Sequence, residues 1–292
     1  MIQRITIIGT GLIGTSVGLA LRSGAARTAD DASRFRGKII GCDADAAQAD
    51  TALQMGAVDE IVRGQEKTLA AAAHSDVVVL AVPVFAILDW MPKLAAVMKP
   101  GQLVTDTGST KLEITNAGAK LFFGDGATFL PGHPMAGKES GGAALGEGLL
   151  FHKAMWLFTP ASKEQTPIET EWRDMVEKFG CRTMDLEAER HDLLCAWVSH
   201  LPQMVSTAMS ALLEDEFGDA EDMRAIGGRA LREMTRLGAS PYSMWRDIAL
   251  SNTKPLADTL LALEQRLTHI RENLKTPELR DEFAKANRFR KE

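Results

Sequence analysis

The apolar positions of this chain change period once. Up to residue 187, short unbroken runs of aliphatic and β-branched residues alternate with stretches whose apolar residues recur every three to four positions. The runs at 4–8, 38–42, 76–82 and 102–105 end in Gly, Asp or Pro and predict buried parallel strands. Weaker strand patterns fall at 57–62, 127–130, 153–159 and 182–186, and helical ones at 15–23, 48–55, 68–73, 86–97 and 169–179. Beyond 187 only helical spacing remains. It predicts one long helix over 191–214, kinked at Pro202, and others over 220–237 (closed by Gly238), 241–250 and 254–274. In the last of these, Leu256, Leu260, Leu263, Leu267, Ile270 and Leu274 form an apolar stripe. The prediction is an α/β Rossmann-like dinucleotide-binding domain over 1–187, followed by an all-α substrate and dimerisation domain over 188–292. Residues 24–36 are small, polar and aperiodic, and predict an insertion loop; the charged tail 276–292 is expected to dock loosely.

The first strand runs straight into Gly9-Thr10-Gly11-Leu12-Ile13-Gly14-Thr15-Ser16. Gly9 allows the tight turn, Gly11 lets backbone approach a pyrophosphate, and Gly14 lets the helix pack closely on the sheet; Leu12 and Ile13 belong to the same turn. The helix N-terminus offers free N–H groups to the phosphates. Asp43 ends the second strand, where a carboxylate accepts from ribose hydroxyls and repels a 2′-phosphate. With no Arg or Lys directly after it, NAD is expected over NADP; a plain helix N-cap is the other reading of Asp43. Val82 and Pro83 end the strand expected beside the cofactor.

Composition narrows the class. The net charge of −6 argues against nucleic acid as a main partner. The three cysteines are far apart and apolar in context, no run approaches membrane-spanning length, and the chain opens on a strand rather than a signal peptide; a cytoplasmic protein with reduced thiols is expected. No His/Cys/Asp cluster has metal-ligand spacing, so no metal is expected.

Two further stretches carry chemistry. In Asp106-Thr107-Gly108-Ser109-Thr110-Lys111, Thr110 with Glu113 fits a capping box, while Ser109 fits either a cap or a site hydroxyl. In Pro131-Gly132-His133-Pro134-Met135-Ala136-Gly137, one histidine is framed by Pro and Gly in a loop beyond a strand end, a candidate for proton transfer. In the helical half, His200 and Gln203 share a face and His191 points elsewhere by spacing. Arg236 is either a cation at a helix C-terminus or a carboxylate clamp.

Together the glycine turn, Asp106–Lys111, Gly132–Gly137, Ser199-His200-Leu201-Pro202 and Thr235-Arg236 through Trp245-Arg246-Asp247-Ile248 resemble the prephenate/arogenate (cyclohexadienyl) dehydrogenases of tyrosine biosynthesis, nearly end to end and in the same order. The resemblance implies oxidative decarboxylation of a cyclohexadienol with NAD, by a homodimer. It implies His133 as base, Ser109 as the hydroxyl orienting His133 and the substrate alcohol, and Arg236 as carboxylate clamp. It also implies Glu139 at the pocket entrance, His200 and Gln203 as pocket residues, and Trp245 as a pocket or partner-subunit contact. Gln203 departs from the pattern: prephenate-specific members often carry a second His there, and a neutral amide weakens a prephenate preference. Other readings are an NAD-dependent hydroxy-acid dehydrogenase that releases no carbon dioxide and a non-catalytic NAD-binding regulator.

Overall fold

The structure, a computed structural model, describes residues 1–292 except 24–33, 125, 163, 219 and 292, and Arg224 by its backbone only. The expected insertion loop therefore lies largely outside the described residues. Strands β1 (Arg4–Ile8), β2 (Lys38–Cys42), β3 (Glu60–Ile61), β4 (Val77–Leu80), β5 (Leu103–Asp106) and β6 (Thr128–Leu130) form a six-stranded sheet in the order β3-β2-β1-β4-β5-β6. All of its pairings are parallel. The intervening helices are α1 (Leu12–Ser23), α2 (Ala46–Gln54), α3 (Gln65–Ala72), α4 (Val84–Ala95) and α5 (Leu112–Leu121).

Strand alternation sorts the core into two layers. Ile5, Ile7, Val77 and Val79 face one side and meet Val17, Ala20 and Leu21 of α1. Val78, Leu80 and Val104 face the other and meet Ile87, Met91 and Leu94 of α4 and Ile114 of α5. All of these are at most 3% exposed, so each aliphatic side chain contributes about 1.5–3 kcal/mol of burial. The two layers explain why these strands read as unbroken apolar runs.

Beyond Pro131 the chain starts a second sheet rather than the loop expected around His133. Strand β7 (Gly132–Pro134) pairs antiparallel with β8 (Met155–Phe158), which pairs parallel with β9 (Arg182–Asp185). Helix α6 (Pro167–Glu177) starts with Thr166 and Glu169 in a capping box. Trp156, Phe158 and Trp172 join the α1 layer, which ties the small sheet to the large one.

From Ala188 every described element is helical: α7 (Ala188–Cys195), α8 (Leu201–Phe217), α9 (Glu221–Ile226), α10 (Arg229–Thr235), α11 (Tyr242–Ser251), α12 (Thr253–Glu272) and α13 (Pro277–Lys291). The expected helix 191–214 is interrupted by a π turn, Ala196–His200. Pro202 follows directly on this π turn, where its missing N–H removes a bond to the preceding turn. The expected helix 220–237 is split at Gly227–Gly228 and ends in a 3₁₀ turn, Arg236–Ala239. Gly238 lies inside that turn and allows close packing: a Cβ there would sit 2.5 Å from Ser210 Oγ. The tail is a helix held by Arg266 pairing with Glu282. No helix among the described residues is long and apolar enough to cross a membrane.

Candidate active site

The site lies at the carboxyl ends of the large sheet, where β1 and β4 part and the strand order reverses. Gly9 leaves β1 at φ +94°, and a Cβ on it would lie 2.3 Å from the Ala81 carbonyl oxygen. A Cβ on Gly14 would lie 1.8 Å from the Gly9 carbonyl oxygen. Gly11 differs: nothing stands within 4 Å of an added Cβ, so its backbone faces open space. That opening belongs to a cavity of about 580 Å³ lined by Gly9, Gly11, Asp43, Thr68, Val82 and Pro83. No Lys or Arg is among its described lining residues. Glycine cradle, open backbone and acidic rim fit the adenosine and pyrophosphate of a dinucleotide. Asp43 is not the cap of α2; Asp45 is, accepting from Ala47 N–H at 2.9 Å. Asp43 instead accepts from Thr10 N–H at 2.7 Å and Asp45 N–H at 2.9 Å, which ties the glycine turn to the end of β2.

A second cavity, about 600 Å³, shares Ala81, Val82 and Pro83 with the first. Leu12 and Ile13 line this one, together with Ser109, His133, Glu139, His200, Gln203, Arg236 and Trp245. The imidazole from the sheet side and the guanidinium from the helical side therefore face one cleft.

His133 is held from behind. Its Nδ1 lies 2.9 Å from His191 Nε2, and His191 Nδ1 lies 2.8 Å from Asp192 Oδ1. His191 thus stands behind His133 and, as its spacing implies, does not line the cleft that His200 lines. Asn252 donates both to the Asp192 carbonyl (2.8 Å) and to His200 Nδ1 (3.2 Å), so the two faces converge. Burial, with His191, Lys111 and His200 nearby, pushes the His133 pKa well below the ordinary imidazole value. Burial likewise pushes His200 down to about 4. Both rings are neutral at neutral pH.

Lys111 is fully buried; it pairs with Asp106 and donates to the Gly132 carbonyl at 2.9 Å. Burial lowers its pKa while the Asp106 carboxylate opposes that shift. Asp106 also accepts from Gly108 N–H (2.7 Å) and Gly132 N–H (3.2 Å). One buried ion pair thus locks the Ser109 turn to the His133 strand. The expected Thr110 capping box does not form. The helix starts two residues later and Asp192 caps it from α7, while Thr110 Oγ1 bonds Ser251 Oγ at 2.7 Å.

Cys195 completes a cluster that spacing in the sequence does not reveal: the donor atoms of His133, His191 and Cys195 lie within 4.8 Å of one another. The two ring nitrogens are at hydrogen-bond distance, and burial pushes the thiol up to about 12. The arrangement is that of a hydrogen-bonded row beside a protonated thiol.

Around the cleft, Arg236 forms an ion pair with Glu139, and Lys138 with Glu147. Gln203 is buried and donates to the Leu237 carbonyl (2.7 Å) and Thr207 Oγ1 (3.1 Å). Trp245 stands edge-on to His200 at 5.9 Å, its indole N–H buried without a partner among the described residues. Ser109 shares the cavity with His133, but the His133 Nδ1 hydrogen bond goes to His191. Lys111, His191, Asp192 and Asn252 are the site residues that sequence reasoning missed. The Asp192 carboxylate beside a histidine was the available signal.

Fold and site together define an NAD-dependent dehydrogenase built on a Rossmann-like sheet with a helical second half. A family model described as prephenate dehydrogenase, nucleotide-binding domain, matches residues 29–185, and one described as prephenate dehydrogenase, dimerization domain, matches 187–288. The chain belongs to the prephenate dehydrogenase family. It is 28% identical over 272 residues to prephenate dehydrogenase of Lactococcus lactis subsp. cremoris, covering 92% of this chain and 70% of that protein. A crystal structure of prephenate dehydrogenase from A. aeolicus with hydroxyphenyl propionate and NAD+ superposes with a TM-score of 0.84 at 26% identity, covering 100% of this chain and 96% of that one. Synechocystis arogenate dehydrogenase superposes at 0.75, with 26% identity and 99% of each chain covered.

Proposed function

We propose that this protein catalyses the NAD-dependent oxidative decarboxylation of arogenate to tyrosine and of prephenate to 4-hydroxyphenylpyruvate. The observation that carries the reading is the single cleft, sharing Ala81, Val82 and Pro83 with the dinucleotide cavity, which both His133 and Arg236 line. NAD, when bound, supplies the hydride acceptor. His133, neutral at working pH, takes the substrate's hydroxyl proton on Nε2 as hydride leaves the same carbon. The ring carboxylate departs as carbon dioxide, and the pair of electrons from the broken C–C bond completes the aromatic ring. Ser109 orients the reacting hydroxyl, and Arg236 exchanges Glu139 for a substrate carboxylate, which a guanidinium grips in two-pronged fashion.

Gln203 supports inclusion of arogenate. Its amide donors are spent on Leu237 and Thr207, and its oxygen is left to accept from an ammonium. The acidic, cation-free rim at Asp43 supports NAD over NADP. Residues 1–187 form the cofactor unit and 188–292 the substrate and dimer unit, since the last strand ends at Asp185 and helices begin at Ala188. Exposed Trp197, Val198, Leu212, Leu261 and Leu267 support a homodimer through the helical half. Three free, buried cysteines fit a reducing cytoplasm. The test is a side-by-side assay of both substrates with NAD and NADP, reading NADH and carbon dioxide together. Equal yields of the two products support the reading. Reduced cofactor without carbon dioxide points to a plain hydroxy-acid dehydrogenase.

A further inference from the structure

We infer that His191 and Asp192 form a positioning pair that holds the His133 proton on Nδ1 and leaves Nε2 as a bare acceptor toward the cleft. This rests on the reading of His133 as the base and adds why its ring is in the right form. The argument starts at the carboxylate. Asp192 Oδ1 accepts from Lys111 N–H at 2.7 Å, and Oδ2 accepts from Leu112 N–H at 2.9 Å. With both oxygens facing donors, the group is an ionised acceptor. His191 Nδ1, 2.8 Å from Oδ1, must therefore carry its hydrogen. Burial pushes His191 below its ordinary value, so the ring is neutral and its Nε2 has only a lone pair. That lone pair lies 2.9 Å from His133 Nδ1, which must be the donor. Neutral His133 then has no hydrogen on Nε2.

Neighbouring groups do not upset this order. Lys111 spends its ammonium on Asp106 and the Gly132 carbonyl. His200 Nδ1 accepts from Asn252 and stays outside the row. The Cys195 thiol is 3.6 Å from His191 Nε2, a longer contact from a weaker donor. When His133 takes a proton, its Nδ1–H bond to His191 strengthens, with the Asp192 charge behind it. The same carboxylate caps α5, so one group sets both the ring form and the helix that follows Ser109.

The test is ¹⁵N NMR of histidine-labelled protein, with the His133 signals assigned by their loss in His133→Asn. The expected result is a protonated Nδ1 and a bare Nε2. His191→Leu should mix the two ring forms and lower kcat about 10²-fold, with NAD affinity unchanged. His191→Gln, whose side-chain oxygen can accept from Nδ1, should recover kcat to within about tenfold of wild type. A wild-type His133 protonated on Nε2, or undiminished kcat in His191→Leu, overturns the pair. Should His191→Leu not fold, the wild-type ring form still decides. Full turnover in His133→Asn would instead remove the base reading and leave the ring-form result standing.

Discussion

Arg236, in the 3₁₀ turn after α10, forms an ion pair with Glu139, in the loop after the His133 strand. The contact joins the helical half to the sheet half at the mouth of the cleft, and Arg236 remains 60% exposed there. A group so placed is available to an incoming carboxylate. Replacing Arg236 by Gln should raise KM for substrate by about 10–100-fold, the worth of a charged hydrogen-bonded contact. NAD affinity, measured by fluorescence titration, should stay within about twofold. A parallel loss of both would place Arg236 in the fold rather than the substrate site.

In the proposed reaction, Gln203 is the residue expected to set substrate choice. The carbonyl of Leu237 can only accept, so the amide nitrogen faces it and the oxygen is the atom left over. Exchanging Gln203 for His replaces that acceptor with a group that can carry positive charge. The ratio of kcat/KM for prephenate over arogenate should rise about tenfold or more. An unchanged ratio in steady-state assays would take Gln203 out of the discrimination.

Asp43 sits on the rim of the dinucleotide cavity with no described cation lining it. Asp43→Ala removes a carboxylate that would repel a 2′-phosphate in the proposed binding mode, and also the acceptor for Thr10 N–H. Activity with NAD should fall while activity with NADP rises relative to it, read as the ratio of kcat/KM values. A variant as selective for NAD as wild type would refute the role.

Stability should fall on acidification. The His200 ring has an ordinary pKa of 6.5 and is pushed to about 4 in the fold by burial. Between those values the unfolded chain holds the extra proton, so stability is fully present above 6.5 and is lost as pH falls toward 4. The shift amounts to about 3 kcal/mol, and buried His133 and His191 act in the same direction. Urea unfolding at about pH 7.5 and about pH 5 should show a clearly lower midpoint at the acid value. Equal midpoints would contradict the neutral, buried rings.

Which parts of this were legible in the sequence follows from range. The glycine turn and the apolar strands are local signals, and each glycine meets the neighbour its role requires, as at Gly9 and Gly14. Helical order beyond 187 was equally plain. The row behind His133 was not, because its members stand on β7 and α7, 58 residues apart in sequence, and meet only through the tertiary fold. Thr110 illustrates the same limit: its spacing to Glu113 matched a local cap, but a carboxylate from α7 capped the helix instead. Gln203 was visible as a departure from the family pattern, whereas the direction of its amide depends on a 3₁₀ turn no sequence signal announced.

The central claim is that the neutral imidazole at 133 removes the hydroxyl proton in the cleft shared with Arg236. Its most direct test is the turnover of His133→Asn alongside its NAD dissociation constant. The account predicts kcat lower by about 10²–10⁴-fold with NAD binding nearly unchanged. Turnover at the wild-type rate would contradict it.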